Sequence, residues 1–75
     1  MRHIKEDESF DTLQAVIYDI WQTGKADPIF IKNLKNEYDN VIGRSLIIKA
    51  IEYLDIIIDI KKVYLEFAKY NIKIV

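Results

Sequence analysis

The stretch "DIKKVYLEFAKY", Asp59 to Tyr70, decides the fold, because it satisfies two periodicities at once. Ile60, Val63, Tyr64, Phe67 and Tyr70 recur at helical spacing, whereas Val63, Leu65 and Phe67 alternate as they would along one face of a strand. Before it stands "IIIDI", Ile56 to Ile60, and after it "NIKIV", Asn71 to Val75, both rich in β-branched residues. Such residues and aromatics are enriched in strands. The expectation is therefore a β-hairpin, with Ile72 and Ile74 on a second inward row and "AKYN", Ala68 to Asn71, as its loop. The alternative is a fourth helix over Asp59–Tyr70.

Upstream, the pattern is helical. Ser45 can cap a helix running to about Leu54, in which Ile47, Ala50, Ile51 and Leu54 fall at i, i+3, i+4 and i+7. "YDNVIGRS", Tyr38 to Ser45, reads as a turn, since Asp and Asn tolerate turn geometry and Gly43 adds freedom. Before that turn, Asp27 can cap and Pro28 can occupy the first position of a helix reaching Tyr38, where its missing amide proton costs nothing. Ile31, Leu34 and Tyr38 make its inner face, with Phe30 at the margin; Lys32, Asn33, Lys35, Asn36 and Glu37 are expected to point mostly to water. A first helix is expected from a Ser9 cap, with Asp11 near its positive dipole end, to Gly24. Its stripe is Phe10, Leu13, Val16, Ile17, Ile20 and Trp21, and a tryptophan in such a stripe is more often core than interface anchor. Residues 1–8, polar and charged with Ile4 the only large aliphatic after Met1, are expected to fray unless His3 and Ile4 dock. The expected fold is α+β: one winged-helix-like domain over residues 1–75, three helices followed by a C-terminal β-hairpin, with the second and third helices as a helix-turn-helix.

Length and composition bound the function. A chain of 75 residues holds one core and buries only about 60% of its unfolded surface, so its stability margin is small. It has no cysteine for disulfides or thiolate metal sites, and the lone His3 cannot build a zinc site, so no cofactor is expected. Association with a partner is the remaining source of stability. Hydrophobic residues make up 51% of the chain, enough that some should stay at the surface as a protein contact, unless they serve only to give a small core volume. No apolar run is long enough to span a bilayer, and "KEDE", Lys5 to Glu8, stands where a signal peptide needs apolar residues, so a cytoplasmic protein is expected.

Catalysis is not expected. Asp55 and Asp59 are four apart but separated by a change of secondary structure, and no nucleophile has an evident base. "DNVIG" carries one glycine and is no phosphate loop. For nucleic acid, the candidates are Arg44, Ser45 and Lys49 at the start of the third helix, with Lys32, Lys35, Lys61, Lys62 and Lys69 as phosphate contacts if they converge. The net charge of −1 speaks against a free-standing DNA binder. Charge is nevertheless polarised: residues 1–20 hold two basic and five acidic side chains, residues 61–75 four basic and one acidic.

"RHIKEDESFDTLQAVIYDIW", Arg2 to Trp21, and "SLIIKAIEYLDIIIDI", Ser45 to Ile60, resemble the small middle components of bacterial ABC-three-component defence systems. Arg2 to Ile4 matches a "KHI"-like arm, and Ala50, Tyr53 and Leu54 occupy part of an "ALxxL" helix pattern; Leu54-Asp55 stands where such proteins tend to show "LG". The resemblance implies a winged-helix adaptor between an SMC-like ATPase and an effector in antiviral defence, and it carries over no catalytic residue.

Two functions follow. The first is an adaptor whose interface draws on Trp21, Tyr53, Ile56, Ile57, Tyr64 and Tyr70 and meets a larger protein subunit. The second is a small regulator, dimeric in its usual form, that sets the third helix and the hairpin on a duplex.

Overall fold

The computed structural model describes residues 4–75, and side chains from Ser9 onward. In chain order it contains α1 (Ile4–Thr23), α2 (Pro28–Tyr38), β1 (Val41–Ile42), α3 (Arg44–Leu54), α4 (Ile60–Lys69) and β2 (Lys73–Ile74). The described chain is thus mostly helical, with one short two-stranded parallel sheet.

The residues at the deciding stretch form α4, so the expected hairpin gives way to a fourth helix. Asp59 starts it: its backbone is extended and its carboxylate accepts from the Lys61 amide at 3.0 Å, satisfying a donor that the first turn cannot pair internally. Val63 and Phe67 then lie fully buried one turn apart, while Leu65 between them is 67% exposed. A strand would have put all three on one face. Ala68 and Lys69, expected in a loop, complete the helix, and Asn71 turns the chain in the left-handed conformation at φ 62°. "IIIDI" is not a strand either; Ile56 to Asp59 form the connection between α3 and α4, entered through the left-handed Asp55, and Ile60 is the first residue of α4.

Only the last residues keep the expected alternation, with Ile72 buried, Lys73 exposed and Ile74 half-buried. Their partner is β1, in the stretch expected to be a turn. Val41 pairs with Lys73 and Ile42 with Ile74 in parallel, through Lys73 N–H to Asn40 O at 2.8 Å and Val75 N–H to Ile42 O at 3.0 Å. The Arg44 amide donates to Val75 O at 2.7 Å and continues the ladder into the first turn of α3. Parallel strands need a long crossover, and α3 with α4 supplies it.

Helix starts differ from expectation in two places. α1 includes Ile4, so Ser9 lies inside the helix and is buried rather than capping it; Met1 to His3 and the side chains of residues 4–8, and with them the alternative in which His3 and Ile4 dock, lie outside the described residues. Ser45 is likewise the second residue of α3, whose cap position is Gly43. The expected start of α2 is observed: Asp27 accepts from Ile29 N–H at 2.9 Å, with Pro28 in the first turn. Gly24 closes α1 at φ 83°, and Asp39 and Asn40 turn the chain after α2 at φ 56° and 66°.

α1 is the spine of the core. Its Leu13, Val16, Ile17 and Ile20 meet Ile31 and Leu34 of α2, Ile47 and Ala50 of α3, and Val63 and Phe67 of α4 in one buried cluster that Ala26, Ile42 and Ile72 close. No described helix is long and apolar enough to cross a membrane.

Candidate functional site

The outer faces of these helices carry more apolar surface than the core requires. Trp21, expected in the stripe, is 43% exposed instead and lies against exposed Tyr18, ring centroids 5.6 Å apart. At the other end of α1, half-buried Phe10 meets the ring of Tyr53 edge-on, at 5.3 Å and 88°. Phe10 and Trp21 are three helical turns apart on nearly the same line, roughly 16 Å at 1.5 Å per residue. Tyr53 itself is 68% exposed, and Ile57, in the connection after α3, is 95% exposed. The other named interface candidates are more withdrawn: Ile56, Tyr64 and Tyr70 are half-buried and pack against the core. Sequence reasoning passed over Ile29, Leu65 and Val75, which are as exposed as Tyr53.

The proposed nucleic-acid contacts divide among separate surfaces. Arg44 borders a shallow depression with Tyr64, Ala68, Ile72, Ile74 and Val75. Lys49 lines a different groove, against α1. Ser45, Lys61 and Lys62 are exposed, and the Lys69 ammonium is held 3.2 Å from the carboxylate of Glu66. Two lysines expected as phosphate contacts, Lys32 and Lys35, come together where α2 meets the end of α4, sharing a groove with Asn36, Asn40 and Tyr70. Lys35 also lies in the last turn of α2, and Lys69 in that of α4, where each offsets the negative end of a helix dipole.

A groove of about 560 Å³ lies between α1, the end of α2 and α3, lined by Ser9, Phe10, Glu37, Tyr38, Leu46, Lys49 and Tyr53. Its polar chemistry centres on Glu37. That residue, expected to point to water, is half-buried, and its Oε1 is sealed from water without a hydrogen-bond partner. Burial first, and the negative charge of Glu37 second, raise the phenol of neighbouring Tyr38 above the ordinary tyrosine value. The only signal in the sequence is position: Glu37 follows Leu34 by three and Ile31 by six, at the edge of the inner stripe of α2.

A second buried carboxylate has a structural task. Glu66 accepts from the Ala26 amide through Oε2 and meets Lys69 through Oε1. Asp55 and Asp59 end α3 and start α4. Among the described residues no group of three or more His, Cys, Asp or Glu side chains is placed to hold a metal ion.

Comparison with known proteins leaves this geometry to speak for itself: no family model, no curated protein and no solved structure matches the chain.

Proposed function

We propose that this chain is a non-catalytic adaptor, a small subunit that works by holding another protein. The observation that carries the reading is a set of aromatics along one side of the molecule, exposed Tyr18 and Trp21 at the end of α1 and, toward its start, half-buried Phe10 against exposed Tyr53 of α3. Tryptophan and tyrosine dominate the energetics of protein interfaces, and side chains this large are seldom left in water without a use. Ile57 and Leu65 extend the apolar surface beyond that set. The reading takes α1, α2 and α3 as the helices of a winged-helix-like unit, with α2 and α3 as its helix-turn-helix; α4 and β2 stand where the hairpin wing was expected. The resemblance to defence-system middle components names a candidate for the larger subunit, an SMC-like ATPase in the cytoplasm, and a second copy of the chain is the simpler alternative.

The test is affinity capture of the tagged protein from its native cell, washed at high salt, beside Trp21→Ser and Tyr53→Ser variants with unchanged circular dichroism. A stoichiometric partner held by the parent chain and lost from the variants supports the adaptor. A partner held equally by all three, or none at all, rejects it.

The lysine groove favours a second reading, a nucleic-acid binder. Lys32, Lys35, Asn36 and Asn40 around Tyr70 offer cations, amides and an aromatic face to a phosphate backbone, with Lys73 next in the ladder to Asn40. Binding of this kind would weaken steeply as salt rises and on Lys32→Ala or Lys35→Ala.

A further inference from the structure

We propose that the groove between α1, α2 and α3 receives a cationic side chain, an arginine or lysine, from a partner polypeptide, with Glu37 as its counter-ion. This names the chemistry of one contact within the adaptor reading and rests on it.

Charge complementarity is the argument. Glu37 lines the groove, and its Oε1 is out of water with no donor, a condition that folded proteins rarely leave unrelieved. A carboxylate accepts only, so whatever satisfies it must donate, and a guanidinium or ammonium does so most strongly. Rotation about the terminal torsion of the side chain only exchanges its two oxygens, so an occupant of the groove meets the oxygen that is not sealed and the charge the two share. The walls suit a cation as well. Phe10 and Tyr53 meet edge-on, and the exposed Tyr53 ring stands at the rim, where its face can cover the stem or head of an incoming arginine.

Among the described residues the one competing cation in the groove is Lys49, which is exposed and forms no ion pair with Glu37 within 4.0 Å. Its presence makes the proposal asymmetric in a useful way. Removing Glu37's charge should abolish binding, whereas removing Lys49's charge should strengthen it. A phosphate-binding groove would respond with the opposite signs.

The experiment is an amide-detected NMR titration of the whole chain with N-acetyl-arginine methylamide, and with the corresponding citrulline compound, which keeps the shape and lacks the charge. Saturable shifts at Phe10, Glu37, Tyr38 and Tyr53 with arginine alone are expected. Glu37→Gln should weaken them at least about tenfold, and Lys49→Ala should tighten them about two- to threefold. Equal binding of citrulline, an unchanged affinity in Glu37→Gln, or no saturable shift up to about 100 mM probe overturns the proposal, since even a single charge-assisted contact should show at that concentration. Glu37→Gln removes a charge while keeping the shape, so its fold is secured by an unchanged spectrum elsewhere. If capture yields a partner that depends on Trp21 but is indifferent to Glu37→Gln, the adaptor reading stands and the groove falls. If arginine binds as described and capture yields no partner, the groove stands and the adaptor reading falls.

Discussion

Glu66 and Ala26 are 40 residues apart, yet the Glu66 carboxylate accepts the Ala26 amide proton at 3.1 Å in the interior. The contact pins the α1–α2 connection to α4 and satisfies a backbone donor that no helix pairs. Removing the acceptor strands that amide beneath Val63 and Phe67's helix, at a cost of about 1–3 kcal/mol, so Glu66→Ala should unfold at clearly lower denaturant concentration. Lys69, on the solvent side of the same carboxylate, is 66% exposed, and Lys69→Ala should cost less than about 1 kcal/mol. Urea unfolding of the two variants checks the ranking; an equal loss would place the value of Glu66 in the ion pair instead.

The register of α4 is tested by two neighbours. Phe67 is fully buried and Phe67→Ala should cost about 3–5 kcal/mol, a large share of what so small a domain has. Leu65 faces water, so Leu65→Lys should change monomer stability by no more than about 0.5 kcal/mol. Were the segment a strand, Leu65 would share the inner face with Phe67, and the lysine would be as damaging as the alanine. Chemical denaturation separates the outcomes.

How far these features can be read from sequence depends on whether the deciding signal is local. Asp27-Pro28 and Gly24 are punctuation with one physical meaning each, and they set the bounds of α2 and the end of α1 as expected. Asp59 is punctuation of the same kind, but the β-branched isoleucines before it outweighed it, because Ile56 and Ile58 satisfy alternation while serving as a buried connector. The parallel pairing of Val41–Ile42 with Lys73–Ile74 joins residues 32 apart in sequence and leaves no local mark. Trp21 fits the inner stripe by spacing and is nevertheless 43% exposed, a difference that spacing alone does not carry. Glu37 was hidden for the converse reason: it sits among solvated polar residues of α2, and only the approach of α1 and α3 withdraws it from water.

Tyr38 provides a spectroscopic handle on that groove. Its folded-state pKa is raised above the ordinary 10.0, by burial and then by Glu37, so the neutral phenol is favoured by folding. Between the unfolded and folded values the native state binds more protons. The stability this contributes is therefore complete below the unfolded value and is lost as pH rises through the folded one. Glu37→Gln removes the second cause and leaves the first, so Tyr38 should titrate lower than in the parent chain but still above an exposed tyrosine. Carbon-detected NMR of the tyrosine ring, compared between the parent chain and the variant, checks this. No movement on Glu37→Gln would mean that the carboxylate and the phenol do not sense each other.

Ile57 tests whether exposed apolar surface is functional or merely tolerated. It is 95% exposed, so Ile57→Lys removes almost no packing, and monomer stability should shift by no more than about 0.5 kcal/mol. Its neighbours Ile56 and Ile58 pack against the core, so Ile58→Ala, by contrast, should destabilise the fold. What Ile57→Lys should change is association. If the apolar surface mediates contact with a second copy, the parent chain's melting temperature should rise with its concentration, and the lysine variant should lose that dependence. If the surface is kept for a different partner, both chains should sediment as monomers, and the variant should only be less prone to aggregate on concentration. Sedimentation velocity over a hundredfold range of concentration, with melting curves at both ends, distinguishes the two. A parent chain that neither associates nor aggregates, and a variant identical to it, would remove Ile57 from any interface of like copies and leave Trp21 and Tyr53 as the positions on which the adaptor reading must stand.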